Sequence, residues 1–240
     1  MKLYRALQSQ GFGSRKGCVA QVRAGAVAVN GMVCDDPETE VDPAGLELTL
    51  DGVAWAFREK AYVLMHKPSG YECSHHPSHH LSVFSLLPAP LLQRGVQCVG
   101  RLDQDTTGLL LFSDDGQFIH RMISPRKGIA KIYRATCAEP VTDAMLDALR
   151  QGVALNDEPA PIAALACDRL DARTLRLTLA EGKYHQVKRM IAATGNRVET
   201  LHRETIGSHA LPADLPPGGW RWLEPADLQQ LEQPWPSARS

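Results

Sequence analysis

VGRLDQDTTGLLLFSDDG, residues 99–116, places four aspartates within eighteen residues of a chain whose charges are otherwise evenly spread. What Asp103, Asp105, Asp114 and Asp115 do decides which fold the sequence encodes. Three readings compete. Asp103-Gln104-Asp105-Thr106-Thr107 fits the D-x-D-x-T of a phosphoryl-transfer nucleophile. Asp103 to Gly108 also fits the start of a calcium loop. In the third reading Arg101-Leu102-Asp103 carries the function and Asp105 is loop scaffolding, its carboxylate accepting bonds from nearby backbone N–H groups and Thr107 in the manner of an Asx-turn.

The flanking residues discriminate between them. A phosphoryl-transfer nucleophile sits at the carboxyl end of a buried strand, but Cys98-Val99-Gly100-Arg101-Leu102 is short and broken, and the apolar run Leu109-Leu110-Leu111-Phe112 follows the aspartates instead. A calcium loop needs oxygen ligands at positions 1, 3 and 5 and a bidentate glutamate at position 12. The twelfth residue here is Asp114, and neither flank has the pattern of an EF-hand helix. Asp114-Asp115-Gly116 reads as turn chemistry after a strand, with positive φ at the glycine and both acids structural. What remains is Asp103 on a loop between Gly100 and Gly108, beside an arginine and leading into a strand.

With 240 residues, 44% of them hydrophobic and 22% charged, the chain is long enough for one large domain, or one large and one small. No apolar run approaches the roughly 20 residues that span a bilayer, and MKLYRALQSQ lacks the apolar segment of a signal peptide. A soluble, cytoplasmic protein with no membrane association is expected. The six cysteines are scattered without a C-x-x-C pair, so neither a zinc knuckle nor a disulfide framework is encoded. A net charge of −1 argues against indiscriminate polyanion binding, yet it conceals a local asymmetry. Between Met1 and Cys34 stand Lys2, Arg5, Arg15, Lys16 and Arg23 with no acid, whereas Asp35 to Asp51 is acidic with no base.

This front segment has a legible local code. Leu3 and Leu7 at i, i+4 predict a short helix, broken by Gly11-Phe12-Gly13. Ser14 caps a second helix with Cys18, Val19 and Val22 on one side, and Gly25 ends it. Alternating Ala26-Val27-Ala28-Val29 then meets Asn30-Gly31, a strong hairpin signal. The order, centred on SRKGCVAQVRAGAVAVNGMV, resembles the S4-like RNA-binding domain, with residues 1–52 forming that module and residues 53–60 a flexible linker. The resemblance places Arg15, Lys16 and Arg23 on RNA phosphates, contacts that position without reading sequence.

Residues 61–240 are expected to form a single α/β domain. Thr174-Leu175-Arg176-Leu177-Thr178-Leu179 alternates as a half-buried strand, and Thr142 caps a helix with Met145, Leu146 and Leu149 on one side. Leu211 to Gly219 reads as a loop, and residues 234–240 as a frayed tail. GRLDQDTTGLLLFSDDG resembles the catalytic motif of the pseudouridine synthases, in the branch typified by RsuA. Four further pieces match in order: YVLMHKP with Gly70, then Ser124-Pro125-Arg126 with Lys131-Ile132-Tyr133, then EGKYHQVKRM from Glu181, and LHRETIG from Leu201.

The resemblance implies an α+β chain: a small helix/hairpin module followed by a mixed, mainly antiparallel catalytic domain. It also implies isomerisation of a uridine in ribosomal RNA, most simply that of the small subunit, without a cofactor. In such a site Asp103 acts as nucleophile at ribose C1′ or as base on the 2′ side, and Tyr133 stacks on the extruded base. Lys188 pairs with the carboxylate and opposes the pKa rise that burial would cause. Arg101 holds the flipped nucleotide's phosphates, and Arg189 reaches backbone or RNA phosphate. The partner is ribosomal RNA, free or in an assembling small subunit, with the enzyme a monomer. Rival readings are a large-subunit enzyme of the same family and a non-catalytic assembly factor. The cluster His75-His76-Pro77-Ser78-His79-His80 invites a metal, but it falls where the family has a variable loop. An exposed or RNA-facing loop is expected there, and no metal.

Overall fold

The computed structural model describes residues 1–233, so the stretch read as a tail lies outside the described residues. The chain divides into two compact units. Met1–Ala61, Leu87–Gln97 and Ser113–Asp115 form the first, and Tyr62–Leu86, Cys98–Phe112 and the chain from Gly116 onward form the second.

In the first unit α1 (Leu3–Ser9) buries Leu3, Ala6 and Leu7. α2 (Arg15–Arg23) starts where the sequence predicts, with Ser14 Oγ accepting the Gly17 amide at 3.2 Å. β1 (Val27–Val29) and β2 (Met32–Val33) form a hairpin through Asn30 and Gly31, whose φ of +49° and +83° are those of a type I′ turn. β3 (Glu47–Leu50) and β4 (Val53–Ala56) complete an antiparallel sheet of order β2-β1-β3-β4. This corrects the expected linker at residues 53–60, because its first half is a strand and Trp55 is buried.

After the short α3 (Ala89–Gln93), Arg94 lies within a polar network of the same unit. Its guanidinium donates to Asp114 Oδ2 at 2.9 Å (Nε) and 2.7 Å (Nη2), and to Gln10 Oε1 and Arg58 O. Asp114 Oδ1 accepts the Ala61 amide at 2.7 Å. The turn expected at Asp114-Asp115-Gly116 is therefore corrected. Gly116 does not have a positive φ and opens helix α4 (Gly116–Ile123), Ser113 Oγ accepts the Asp115 amide, and Asp114 is half of a nearly dry ion pair.

The second unit comprises β5 (Tyr62–Lys67), β6 (Tyr71–Glu72), β7 (Leu81–Ser82), β8 (Gln97–Cys98), which begins at the boundary, and β9 (Thr107–Ser113), which ends at it. These are followed by α4 (Gly116–Ile123), β10 (Lys131–Cys137), α5 (Asp143–Gln151), β11 (Ala166–Arg169), β12 (Thr174–Leu179) and α6 (Gln186–Ala193). β13 (Val198–Ile206), β14 (His209–Ala210), β15 (Trp220–Trp222) and α7 (Pro225–Glu232) complete it. The main sheet runs β11-β12-β10-β13-β9-β5-β15, with β8 and β14 off this path. β10 is antiparallel to both β12 and β13, while β9 is parallel to β13, so the sheet is mixed and mainly antiparallel, as expected.

β9 is central, and its unbroken apolar run fits a strand buried on both faces. Leu109 and Leu111 join Leu64 and Ile206 in a core that α4 closes with Phe118 and Met122 and α7 with Leu231. Phe112 instead packs edge-on against Phe84, with ring centroids 5.4 Å apart. β12 is more deeply placed than its alternation suggests, because β10 and β11 flank it and only Arg176 is exposed. At Gly108 (φ +109°) a Cβ would stand 2.3 Å from the Arg203 carbonyl oxygen, so the parallel pairing of β9 with β13 requires glycine there.

Candidate active site

In the second unit a cavity of about 120 Å³ opens beside the loop that precedes β9. A cavity of roughly 150 Å³ takes a benzene ring, so this one is scaled to a single heterocycle. Alternate residues of two paired strands, Lys131 and Tyr133 of β10 with Leu201 and Arg203 of β13, supply part of its wall. The Arg101-Leu102-Asp103 loop and the segment leading into α6 supply the rest.

A side chain with no role in the sequence reading braces the loop from behind. Lys67 is fully buried, and its ammonium donates to the carbonyls of Pro68, Gln104 and Thr106 at 3.0, 3.1 and 2.9 Å. Burial pushes its pKa down, and nearby Cys73 and Asp105 only partly offset this. The Gly70 amide adds a bond to Gln104 O at 2.8 Å. A signal for this bracing was present in the sequence, since Lys67, Pro68 and Gly70 lie in one of the quoted motifs.

Asp103 then meets two cationic or polar partners from α6 and its lead-in. Lys188 Nζ lies 3.0 Å from Asp103 Oδ2, and His185 Nε2 lies 3.2 Å from Asp103 Oδ1. The same ammonium donates to Asp105 Oδ1 and Oδ2 at 2.7 and 2.9 Å. The Asx-turn expected of Asp105 is corrected by this geometry. Its carboxylate is a second anchor for Lys188, while Thr107 Oγ1 is bonded to His202 Nδ1 at 2.8 Å. Burial disfavours the charge on Lys188, but the two carboxylates outweigh burial and raise its pKa. Asp105 mirrors this: desolvation acts upward, the Lys188 hydrogen bond and charge act downward, and the pKa falls below its ordinary 3.8.

The structure brings Asp103, Tyr133, Lys188 and Arg101 to one place, with Tyr133 buried and Arg101 exposed at the cavity's lip. Arg189 does not join them. Its guanidinium donates to the backbone carbonyls of Tyr184 and Asn156. Arg15, Lys16 and Arg23 belong to the first unit, exposed on α2, and the Arg15 guanidinium lies 4.9 Å from the Tyr4 ring centroid. Four further groups were not assigned roles from the sequence. His185 is one. Lys131 is another: burial and the Arg203 charge bring its pKa down to about 8, and it donates to Ile129 O at 2.6 Å. Arg203 Nη2 and Thr106 Oγ1 are buried without a hydrogen-bond partner among the described residues.

The histidine cluster lies on an exposed loop, where the His75 ring stacks on Phe84 with centroids 3.6 Å apart. Glu72, the nearest acid in sequence, accepts the backbone amides of Ser78, His79 and His80. Among the described residues no group of three or more His, Cys, Asp or Glu side chains is placed to hold a metal ion, and no helix is long and apolar enough to cross a membrane.

Residues 61–193, which carry Asp103, Tyr133, His185 and Lys188, match the family described as RNA pseudouridylate synthase. The chain belongs to the RNA pseudouridylate synthase family. Among its relatives, the ribosomal small subunit pseudouridine synthase A of Yersinia pestis is 37% identical over 235 residues, covering 98% of this chain and 99% of the relative. The Escherichia coli protein of the same name is 37% identical over 232 residues, covering 96% of this chain and all of the relative. A crystal structure of a pseudouridylate synthase superposes with a TM-score of 0.68 at 33% identity, over 96% of this chain and 99% of that one. The cavity of this pseudouridylate synthase is thus the place to seek the uridine that the family isomerises.

Proposed function

We propose that this enzyme converts one uridine of small-subunit ribosomal RNA to pseudouridine, with Asp103 as the group that acts on the ribose. The observation that carries this reading is the Asp103 carboxylate, held by Lys188 at 3.0 Å and His185 at 3.2 Å on the wall of a cavity whose buried aromatic is Tyr133. The target nucleotide leaves the RNA stack, a step that costs a few kcal/mol, and its base enters beside Tyr133. The C1′–N1 bond breaks, the base turns in the pocket, and C5 bonds to C1′. Asp103 serves this either by attack at C1′ or by taking the 2′ proton. Lys188 sets a cation 3.0 Å from that carboxylate in a partly dry site. The buried donors of Arg203 and Thr106 suit the carbonyl oxygens of uracil.

On this reading the first unit is an S4-like RNA-binding module whose Arg15, Lys16 and Arg23 meet phosphates, and Arg101 holds those flanking the extruded nucleotide. Arg189 orders the segment before α6. The enzyme acts in the cytoplasm as a monomer, on free ribosomal RNA or an assembling small subunit. The test is mass spectrometry of small- and large-subunit ribosomal RNA from cells with and without the gene. Loss of one small-subunit pseudouridine, restored by the wild-type gene and not by Asp103→Asn, is expected. Loss confined to the large subunit would move the substrate there. An unchanged set of pseudouridines would sink the enzymatic reading.

A further inference from the structure

The isomerisation leaves a proton in the wrong place. When uracil leaves C1′ through N1 and rejoins through C5, the new adduct carries both C1′ and a hydrogen on C5, with a C6=N1 double bond. Something must take that proton. Resting on the assignment of Asp103 to the ribose, we propose that His185 is the base that removes it.

The step balances without any outside reagent. The imidazole takes the C5 proton, the C–H electron pair forms C5=C6, the C6=N1 pair moves to N1, and N1 takes up a proton. The imidazolium has one to return, directly or after exchange with water, so His185 ends as it began. The geometry supports this role at three points. His185 Nε2 is 3.2 Å from Asp103 Oδ1, and because the C5 adduct forms on the ribose that Asp103 serves, the imidazole is a near neighbour of that ribose on this assignment. Its ring is oriented by stacking on Tyr184, with centroids 3.9 Å apart and planes at 19°. Its backbone lies in the left-handed region, φ +47° and ψ +31°, a conformation uncommon for a residue other than glycine.

The charged groups in or beside the cavity are less suited. Lys188 is held as an ammonium between two carboxylates. The Lys131 ammonium is directed at backbone carbonyls, and the guanidinium groups of Arg101 and Arg203 offer donors and no acceptor. Glu181 is paired with Lys183 at 3.5 Å. Asp103 is occupied with the sugar. Imidazole in its neutral form offers one ring nitrogen as a proton acceptor.

The test is single-turnover conversion of substrate RNA carrying hydrogen or deuterium at uridine C5, using wild type, His185→Gly and His185→Gln. Glycine occupies φ +47° without steric cost, so His185→Gly should fold and bind RNA as wild type does. Its turnover should fall by about 10²- to 10⁴-fold, with a primary C5 isotope effect and recovery on addition of imidazole. His185→Gln, which can still donate to Asp103 but is not a base, should show the same slow, isotope-sensitive step. Wild-type turnover by either variant, or slow turnover lacking the isotope effect or the rescue of His185→Gly, overturns the proposal. Asp103→Asn in parallel should be inactive with or without imidazole. If it turns over, it is the assignment of Asp103 that fails.

Discussion

Replacing Lys188 by methionine keeps an unbranched apolar stem and removes the ammonium that lies 3.0 Å from Asp103 and 2.7 to 2.9 Å from the Asp105 oxygens. Each carboxylate loses one charge-assisted partner, a bond that contributes about 1.5–3 kcal/mol. Asp105 is 51% exposed, so water replaces much of what it loses, whereas Asp103 is only 26% exposed and bears the larger effect. At about 1.4 kcal/mol per factor of ten, the Asp103 share alone predicts a fall of roughly 10- to 150-fold in the single-turnover rate. RNA affinity should change little. The assay is tritium release from substrate RNA labelled at uridine C5, with binding measured separately on the same RNA. A fall of less than about twofold would show that the pair is incidental. Activity as low as that of Asp103→Asn would show that the lysine itself does chemistry. Stability supplies a second check. The Asp105 pKa is depressed, so its contribution is present above 3.8 and lost as pH falls through the folded value; that of Lys188 is raised, so its contribution is full below 10.5 and lost above the folded value. The difference in urea midpoint between wild type and Lys188→Met should therefore be level from about pH 5 to 9 and shrink below about pH 4.

Asp114→Ala strands the Arg94 guanidinium, whose side chain is 3% exposed, and should cost about 3–5 kcal/mol in urea unfolding; an unchanged midpoint would refute the buried pair. Gly108→Ala sets a Cβ 2.3 Å from the Arg203 carbonyl oxygen at a φ of +109°, and should lower stability by more than about 2 kcal/mol; wild-type thermal unfolding would show that β9 and β13 can part at no cost. The triple variant Arg15→Gln, Lys16→Gln, Arg23→Gln should weaken RNA binding and flatten the slope of log affinity against log salt by up to about 2–3. An unaltered slope would place the RNA elsewhere. Substitution is preferable to deleting residues 1–52, because that cut would remove Gln10, which bonds Arg94, Arg58 and Trp55.

The sequence by itself determined what depends on neighbours a few residues apart. Ser14 and Thr142 cap α2 and α5 because an N-cap hydroxyl needs only the amide three residues on, and Asn30-Gly31 turns the hairpin because positive φ is a property of those two residues. The run Leu109 to Phe112 announced a central strand for the same kind of reason: an unbroken apolar tetrad has no wet face to present. Motif order placed Asp103, Tyr133 and Lys188 in one site. Tertiary structure alone decided the partners. Asp105 pairs with Lys188 across 83 residues of sequence, and no local rule distinguishes that from an Asx-turn, since a carboxylate satisfies either. Asp114-Asp115-Gly116 carries the letters of a turn, yet Arg94 twenty residues earlier makes Asp114 an ion-pair partner and leaves Gly116 to begin α4. β4 is a strand because β3 offers it a free edge and Trp55 a place to be buried, neither of which is visible in residues 53–60. His185 stood in a quoted motif with no role, since the 3.2 Å that brings it to Asp103 exists only once α6 packs beside the loop before β9. Caps and turns are closed by bonds within a few residues, whereas the charges and strand edges of the site are satisfied by groups that only the folded chain brings within reach.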